Sequence, residues 1–313
     1  MDHPRVVFMG SKGLGLSILK ELSTLAPDAL SGVLTLDDSH DLRSELPKLR
    51  QFARGAKLPF HVAQNRRHSE ELLHQLRPDL VFVVGWYWLI PASLLDEVPR
   101  GFVGIHNSLL PRYRGGSPLV WALINGEREV GVSLFSFTPG MDDGPLWAQA
   151  KVEVGPQESV GEVLSRLQEV TLREVRRVYP GILDGSLTPR PQETANVSYC
   201  TPRAPEDGRI DWTAPAKRVH DFIRAQSHPY PGAFTYLGKS KVTVWRARPL
   251  TFPYYGAPGS LVWLEGGEVA ALCGDHRGVA LEEVSRDDAD GALNPSVLLE
   301  KKKNRARFSN RPS

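Results

Sequence analysis

The feature that most restricts the fold is a series of short apolar runs, each followed by a helical pattern. RVVFMG (5–10), LSGVLTL (30–36), FHVA (60–63), DLVFVVGW (79–86) and GFVGI (101–105) are brief and almost free of charge. Runs of that length, bounded by polar turns, read as strands buried on both faces. Between them lie SKGLGLSILKEL, the loop-then-helix stretch DDSHDLRSELPKLRQFARGAKLP, and SEELLHQLRPD. Strands alternating with helices predict a parallel α/β sheet. Gly10, Gly13 and Gly15 follow the first strand in the order GxxGxG. That order is wrong for a dinucleotide fingerprint, and tight strand–helix packing is the favoured reading.

A chain of 313 residues exceeds one typical domain and predicts two. Residues 1–187 form the first, closed by a helix that starts at Ser159 and is expected to stop near Pro180 and Gly181. Residues 188–208, rich in Pro, Thr and Ser, read as a linker. Residues 209–313 carry AFTYL, KVTVWRA, GSLVWLE, GEVAALCG and GVALEEV, short strands separated by glycines, as an antiparallel barrel requires. The closing KKKNRARFSNRPS reads as a basic, solvated tail. A net charge of +2 is too mild to imply a nucleic-acid face. Cys200 and Cys273 are far apart and form no metal or redox spacing, so a reduced, cytoplasmic protein without a metal is expected. No stretch approaches the ~18 apolar residues of a membrane span, and no signal peptide is expected.

The chemistry concentrates between His106 and Gln149. GFVGI delivers His106 to a chain reversal, and PRYRGGSP is a loop. VWALING reads as a helix capped by Gly126, and GVSLFSF as a strand running into TPGMDDG. In an open parallel sheet His106 and Asp142 then meet at the carboxyl edge, where ligands bind. An imidazole titrates near ~6.5. Held by a carboxylate, it serves as general base or proton relay, an effect worth ~10²–10⁴ in rate.

GIHNSLLPRYRG, LINGE and GMDDG resemble the formyltransferase family that uses 10-formyltetrahydrofolate, whose fingerprint is N-x-H-x-SLLP…YRG…INGE…G…D-x-G. The resemblance covers about residues 5 to 250, strongest at 101–149 and 207–250. It implies a Rossmann-like parallel sheet domain followed by a small OB-like β-barrel, with 10-formyltetrahydrofolate as co-substrate and no metal. It implies that His106 is the proton relay and that Asp142 orients it. Folate contacts are implied for Ser108, Leu109, Leu110 and Pro111, for Trp88, Leu89 and Ile90, and for Thr138, Pro139, Gly140 and Met141. Arg112 and Arg114 fall where the folate tail or an acceptor phosphate would pass, with a solvated loop as the equal alternative for Arg112. Asp143 reads as a turn residue.

One departure stands out. The family's catalytic Asn lies two residues before its His, and this chain has Gly104 there. Asn107 or a backbone N–H is the candidate replacement donor, or the histidinium bears more of the load; for Asn107 a plain turn residue is the equal alternative. A carboxamide restored at 104 is expected to point at the formyl oxygen, because strand residues two apart share a face. The family's tRNA-specific members carry a basic loop after the second strand, where this chain has DDSHDLRSE. The expected acceptor is therefore a small amine, best a nucleotide-linked amino sugar, with hydroxyornithine also matching. The alternatives are a 10-formyltetrahydrofolate hydrolase, a methionyl-tRNA formyltransferase and a non-catalytic folate-binding protein. Neither membrane nor tRNA is expected as a partner, and a homodimer is left open.

Overall fold

The computed structural model describes residues 4–41, 43–289, 291–300 and 306–311. The first half runs β1 (Val6–Gly10), α1 (Lys12–Leu25), β2 (Leu30–Leu36), α2 (Leu46–Gly55), β3 (Phe60–Ala63), α3 (Arg66–Leu76), β4 (Leu80–Val84), α4 (Ala92–Glu97), β5 (Phe102–His106), β6 (Arg114–Gly115), α5 (Pro118–Ile124), β7 (Glu129–Ser136), β8 (Leu146–Glu153) and α6 (Val160–Asp184). The second runs β9 (Tyr199–Cys200), α7 (Ala216–Arg224), β10 (Ala233–Leu237), β11 (Ser240–Pro249), β12 (Leu261–Trp263), β13 (Val269–Leu272), β14 (Gly278–Arg286), β15 (Ala292–Leu293) and α8 (Val297–Glu300).

Two compact units result, and they interleave along the chain. The first takes residues up to Gly115, then Gly131–Val152 and Arg166–Tyr199. The second takes Gly116–Val130, Glu153–Ser165 and the chain from Cys200. The sequence-based division at 187 and 208 does not show this, because composition changes at the Pro- and Thr-rich stretch and not at the exchanges near 116, 131, 153 and 166.

The first unit is built on a seven-stranded sheet in the order β3-β2-β1-β4-β5-β7-β8. The pairs β1–β2, β1–β4, β2–β3 and β4–β5 are parallel. The apolar runs earn their place: Val6, Val7, Phe8, Leu80, Val81 and Phe82 are wholly buried. Fully burying such a side chain is worth about 1.5–3 kcal/mol. At Gly10 a Cβ would stand 2.5 Å from the Val84 carbonyl oxygen, so this glycine serves close packing. Gly13 meets nothing within 4 Å and carries no such constraint.

The parallel sheet expected from the alternation holds from β3 to β5, and β7 then joins β5 antiparallel. Periodicity reports which faces a strand buries but not its direction. Helix α6 also runs past Pro180 to Asp184. Proline removes one hydrogen bond, but Ile182 and Leu183 are buried and carry the last turn. The stretch read as a linker is ordered as far as Tyr199 within the first unit, with Arg190 and Leu146 exchanging two backbone hydrogen bonds of 2.7 and 2.9 Å.

The second unit holds a separate antiparallel sheet, β10-β11-β14-β13-β12, with β15 on β14. All five glycine-separated segments form strands of this sheet. Trp212, Val219, Ile223, Val242, Val244, Leu281 and Val284 make its core. The tail reading is corrected at residues 306–311: Ala306 and Phe308 are buried in that core, and Phe308 stacks on Trp212 with centroids 5.3 Å apart. Residues 301–305 and 312–313 lie outside the described residues.

Candidate active site

Strand alternation puts Phe102, Gly104 and His106 on one face of β5. In β7, Ser133 lies opposite His106, Phe135 opposite Gly104 and Ser136 opposite Val103. The end of β7 therefore lies near the start of β5, and the shared carboxyl edge expected for His106 and Asp142 is corrected. The loop 137–145 instead brings Asp142 back, and its Oδ2 stands 3.7 Å from His106 Nδ1. His106 is only 8% exposed. Its Nε2 lies 2.8 Å from the Tyr113 carbonyl oxygen. A carbonyl only accepts, so this contact assigns the hydrogen to Nε2 and leaves Nδ1 as the basic nitrogen of the neutral ring. At 3.7 Å the carboxylate is too far for a hydrogen bond. It is near enough to attract a proton arriving at Nδ1.

Asp142 is held on three sides. Its Oδ2 accepts the Gly115 N–H at 2.7 Å. Gln192 Nε2 donates to the carbonyls of both Asp142 and Gly144, each at 2.8 Å. Arg114, 9% exposed, donates from Nη2 to Gln192 Oε1 at 2.7 Å and from Nε at 3.3 Å. Asp142 itself has φ 48°, a left-handed conformation that a non-glycine residue keeps only when its surroundings enforce it. Sequence reading missed Gln192, which is one of two amides, with Asn196, in a polar stretch. Arg114, read in the sequence as lying on an anion path, donates to Gln192.

The neighbouring Asp143 closes the loop from within. Its Oδ1 accepts from the Thr138 hydroxyl, and its carboxylate covers Gly140, where a Cβ would stand 2.0 Å from Oδ2. The SLLP segment is fixed in a similar way. Ser108, Leu110 and Pro111 are buried and Leu109 is half-buried. Ser108 Oγ donates to the Arg112 carbonyl at 2.7 Å, so its hydroxyl proton is already used within the chain. Ser133 Oγ donates to the Ser108 carbonyl at 2.8 Å and accepts the Leu110 N–H at 3.2 Å. Gln149 Nε2 donates to the Leu110 carbonyl at 2.8 Å and to Ser133 Oγ at 2.9 Å. Ser133 and Gln149 were also missed, since each reads as an ordinary polar position on a strand.

After β4, Trp86 and Trp88 meet edge to face at 5.3 Å. Trp88 and Ile90 pack on the core cluster that includes Val83, Leu94 and Phe102, while Leu89 is 78% exposed. Pro139, Gly140 and Met141 are exposed and Thr138 is half-buried. Asn107 is half-buried, and its side chain makes no hydrogen bond among the described residues. Arg112 lies over the Tyr113 ring at 5.5 Å.

Two family models match the chain, one described as formyl transferase over residues 43–178 and one as formyl transferase, C-terminal domain, over 203–294. The chain belongs to the formyl transferase family. Solved structures share the fold of this formyl transferase at low identity. HypX from Aquifex aeolicus, in complex with tetrahydrofolic acid, is 19% identical, with a TM-score of 0.64 over 95% of this chain and 47% of that one. The chain thus spans about half the length of HypX. An N-formyltransferase from Helicobacter canadensis, in complex with folinic acid and dTDP-3-aminofucose, is 14% identical, with a TM-score of 0.66 over 89% and 99%. Methionyl-tRNA formyltransferase from Clostridium thermocellum is 18% identical, with a TM-score of 0.56 over 86% and 96%.

Within this formyl transferase the departure at Gly104 has a physical counterpart. A Cβ at 104 would stand 2.1 Å from Phe137 Cε1 and 2.8 Å from Cζ. The ring of Phe137 fills the space of a side chain there, so a carboxamide at 104 would have to displace that ring. The loop after β2, acidic and polar in sequence, pairs its carboxylates with nearby cations. Asp38 is 3% exposed, and Lys12 Nζ lies 2.6 Å from Asp38 and 2.8 Å from Asp41. Burial works to lower the Lys12 pKa, but the bonds to Asp38 and Asp41 outweigh it and hold the ammonium above its ordinary value. Arg43 pairs with Asp41 at 2.7 Å, and its hydrogen bonds hold that carboxyl far below the usual range. Among the described residues no cluster of three His, Cys, Asp or Glu is placed to hold a metal, and no helix is long and apolar enough to cross a membrane.

Proposed function

We propose that this chain moves the formyl group of 10-formyltetrahydrofolate to the primary amine of a small acceptor, best a nucleotide-linked amino sugar. The observation that carries the reading is His106, fixed by the Tyr113 carbonyl with Nδ1 turned toward Asp142. In the reaction the amine nitrogen bonds to the formyl carbon and a tetrahedral oxyanion forms. His106 Nδ1 takes the proton the amine must lose, and the Asp142 carboxylate faces the imidazolium. The bond from carbon to N10 then breaks, and a proton passes to N10. Asn107, whose amide has no partner among the described residues, is the donor assigned to the oxyanion. Trp88, Leu89, Ile90, Ser108 to Pro111 and Thr138 to Met141 are assigned to the folate on the family resemblance, with exposed Leu89 and Met141 as its apolar surface.

The paired charges of the loop after β2 support a small acceptor, because phosphate-rich tRNA is held through clustered cations. Two cysteines far apart in the chain, Cys200 and Cys273, fit a reduced, cytoplasmic protein. Residues 1–187 are assigned the catalytic role, with the connection 188–208 contributing Gln192 to it and 209–313 as the second domain. The test incubates the chain with 10-formyltetrahydrofolate and dTDP-3-aminofucose and follows the formylated sugar by mass spectrometry. Formate alone, with or without the amine, would assign a hydrolase, and folate binding without turnover a binding protein. Salt-sensitive, tight binding of initiator tRNA would overturn the small acceptor.

A further inference from the structure

The ring of Phe137 takes part in two groups of apolar side chains. It packs against Leu110, Phe135 and Leu146, and it also packs on the core cluster that carries Trp86, Trp88 and Ile90. It stacks on Phe135 at 5.1 Å and on Phe102 at 6.3 Å, with interplanar angles of 27° and 20°. Phe135 in turn meets the His106 ring edge to face at 6.2 Å. The Phe137 N–H donates to the Phe102 carbonyl at 2.9 Å, which pins the backbone under the ring. The result is an aromatic wall running along β5 and β7 up to His106. Where the family's motif carries a polar amide, this wall has no hydrogen-bonding group.

We infer that Phe137, seated over Gly104, is a positioning residue that keeps water from the carbon beside His106 and so decides whether the formyl group meets an amine or water. The inference rests on the proposed formyl transfer. In transfer, the amine nitrogen replaces N10 on the formyl carbon, and N10 gains a proton. In the competing hydrolysis a water oxygen makes that bond, and formate and tetrahydrofolate leave. Water beside an aromatic wall has few hydrogen-bonding partners, and a site that excludes it suppresses this side reaction. Removing the ring opens space over Gly104, two residues before the histidine that serves either nucleophile.

The experiment uses the full chain and the variants Phe137→Leu, Phe137→Val and Phe137→Ala. Formate release from 10-formyltetrahydrofolate is measured without any amine, and folinic acid binding by calorimetry. The expected result is formate release that rises severalfold as the side chain shrinks from Leu to Val to Ala, with folinic acid still bound. The graded series keeps the test valid if Phe137→Ala melts below the assay temperature. Unchanged formate release with folinic acid bound overturns the inference and leaves the folate reading standing. Failure of the wild-type chain to bind folinic acid overturns both. A second readout tests the packing itself. Gly104→Ala should lower the melting temperature, and Phe137→Ala in the same chain should restore part of the loss. Strictly additive losses would show that the ring does not occupy the place of a side chain at 104, which also overturns the inference.

Discussion

Replacing Gln192 by Leu removes the amide that links the Asp142 loop to Arg114. Four hydrogen bonds go: two donated to the carbonyls of Asp142 and Gly144 at 2.8 Å each, and two accepted from Arg114 at 2.7 and 3.3 Å. A neutral hydrogen bond contributes about 0.5–1.5 kcal/mol net, and one to a charged group about 1.5–3. The two carbonyl bonds then give about 2 kcal/mol and the charged contact about as much again. Because Gln192 is half-buried and water replaces part of this, the expected loss is about 2–3 kcal/mol. At roughly 2–4 °C per kcal/mol for a domain of this size, the melting temperature should fall by about 5–10 °C. Asp142 would also lose the brace that sustains its left-handed backbone. A displacement of about 1 Å costs on the order of 10²-fold in rate, so kcat should fall far more than KM rises. Gln192→Glu isolates the donor. It can still pair with Arg114 but sets a carboxylate against two carbonyl oxygens, so its kcat should fall as far while its melting temperature falls less. The assays are a thermal melt and steady-state formylation of dTDP-3-aminofucose. A Leu variant with near wild-type melting and kcat would refute the bracing role.

Three other outcomes are expected. His106→Ala and Asp142→Ala should each abolish formyl transfer while melting within a few degrees of wild type, and near-normal turnover in either would remove the assignment. His220 is 4% exposed, and burial pushes its pKa down to about 4 despite the neighbouring Asp221. The unfolded chain binds this proton near 6.5, so the stabilising effect is present above that pH and is lost as pH falls toward 4. Between pH 7 and 5 the loss is roughly 2 kcal/mol. His220→Leu should flatten that part of the urea-melt profile, and an unchanged slope would contradict the reasoning. Tyr179 is fully buried, and its hydroxyl has no hydrogen-bond partner among the described residues. Tyr179→Phe keeps the edge contact with Phe82 and should raise stability by about 1 kcal/mol. A clear fall in melting temperature would point to a bonded hydroxyl.

Legibility differed from element to element for physical reasons. The strands from Val6 to His106 were plain in the sequence, because each is a short apolar run between polar turns. The reversal of β7 against β5 was not, since alternation encodes faces and says nothing of direction. His106 and Asp142 were legible as types at known positions. Their route to one another was not, because it depends on a loop that turns back rather than on two aligned strand ends. Gln192 acts through hydrogen bonds alone, and such bonds leave no hydrophobic period to read. Gly104 announced a missing side chain, but only the structure shows that Phe137 fills its place. At the far end, the lysines of KKKNRARF hid Ala306 and Phe308.

That last contact bears on the order in which the chain is made. Residues 306–309 supply bridges to Ser260 and Tyr236 and the ring that stacks on Trp212. During synthesis the strands from Ala233 to Arg286 leave the ribosome first, with that side of Trp212 uncovered. The second unit therefore cannot complete its core until the segment around Phe308 emerges. A stop codon or protease cut just before Ala306 would leave that core open, and quality control would meet it as an unfinished domain.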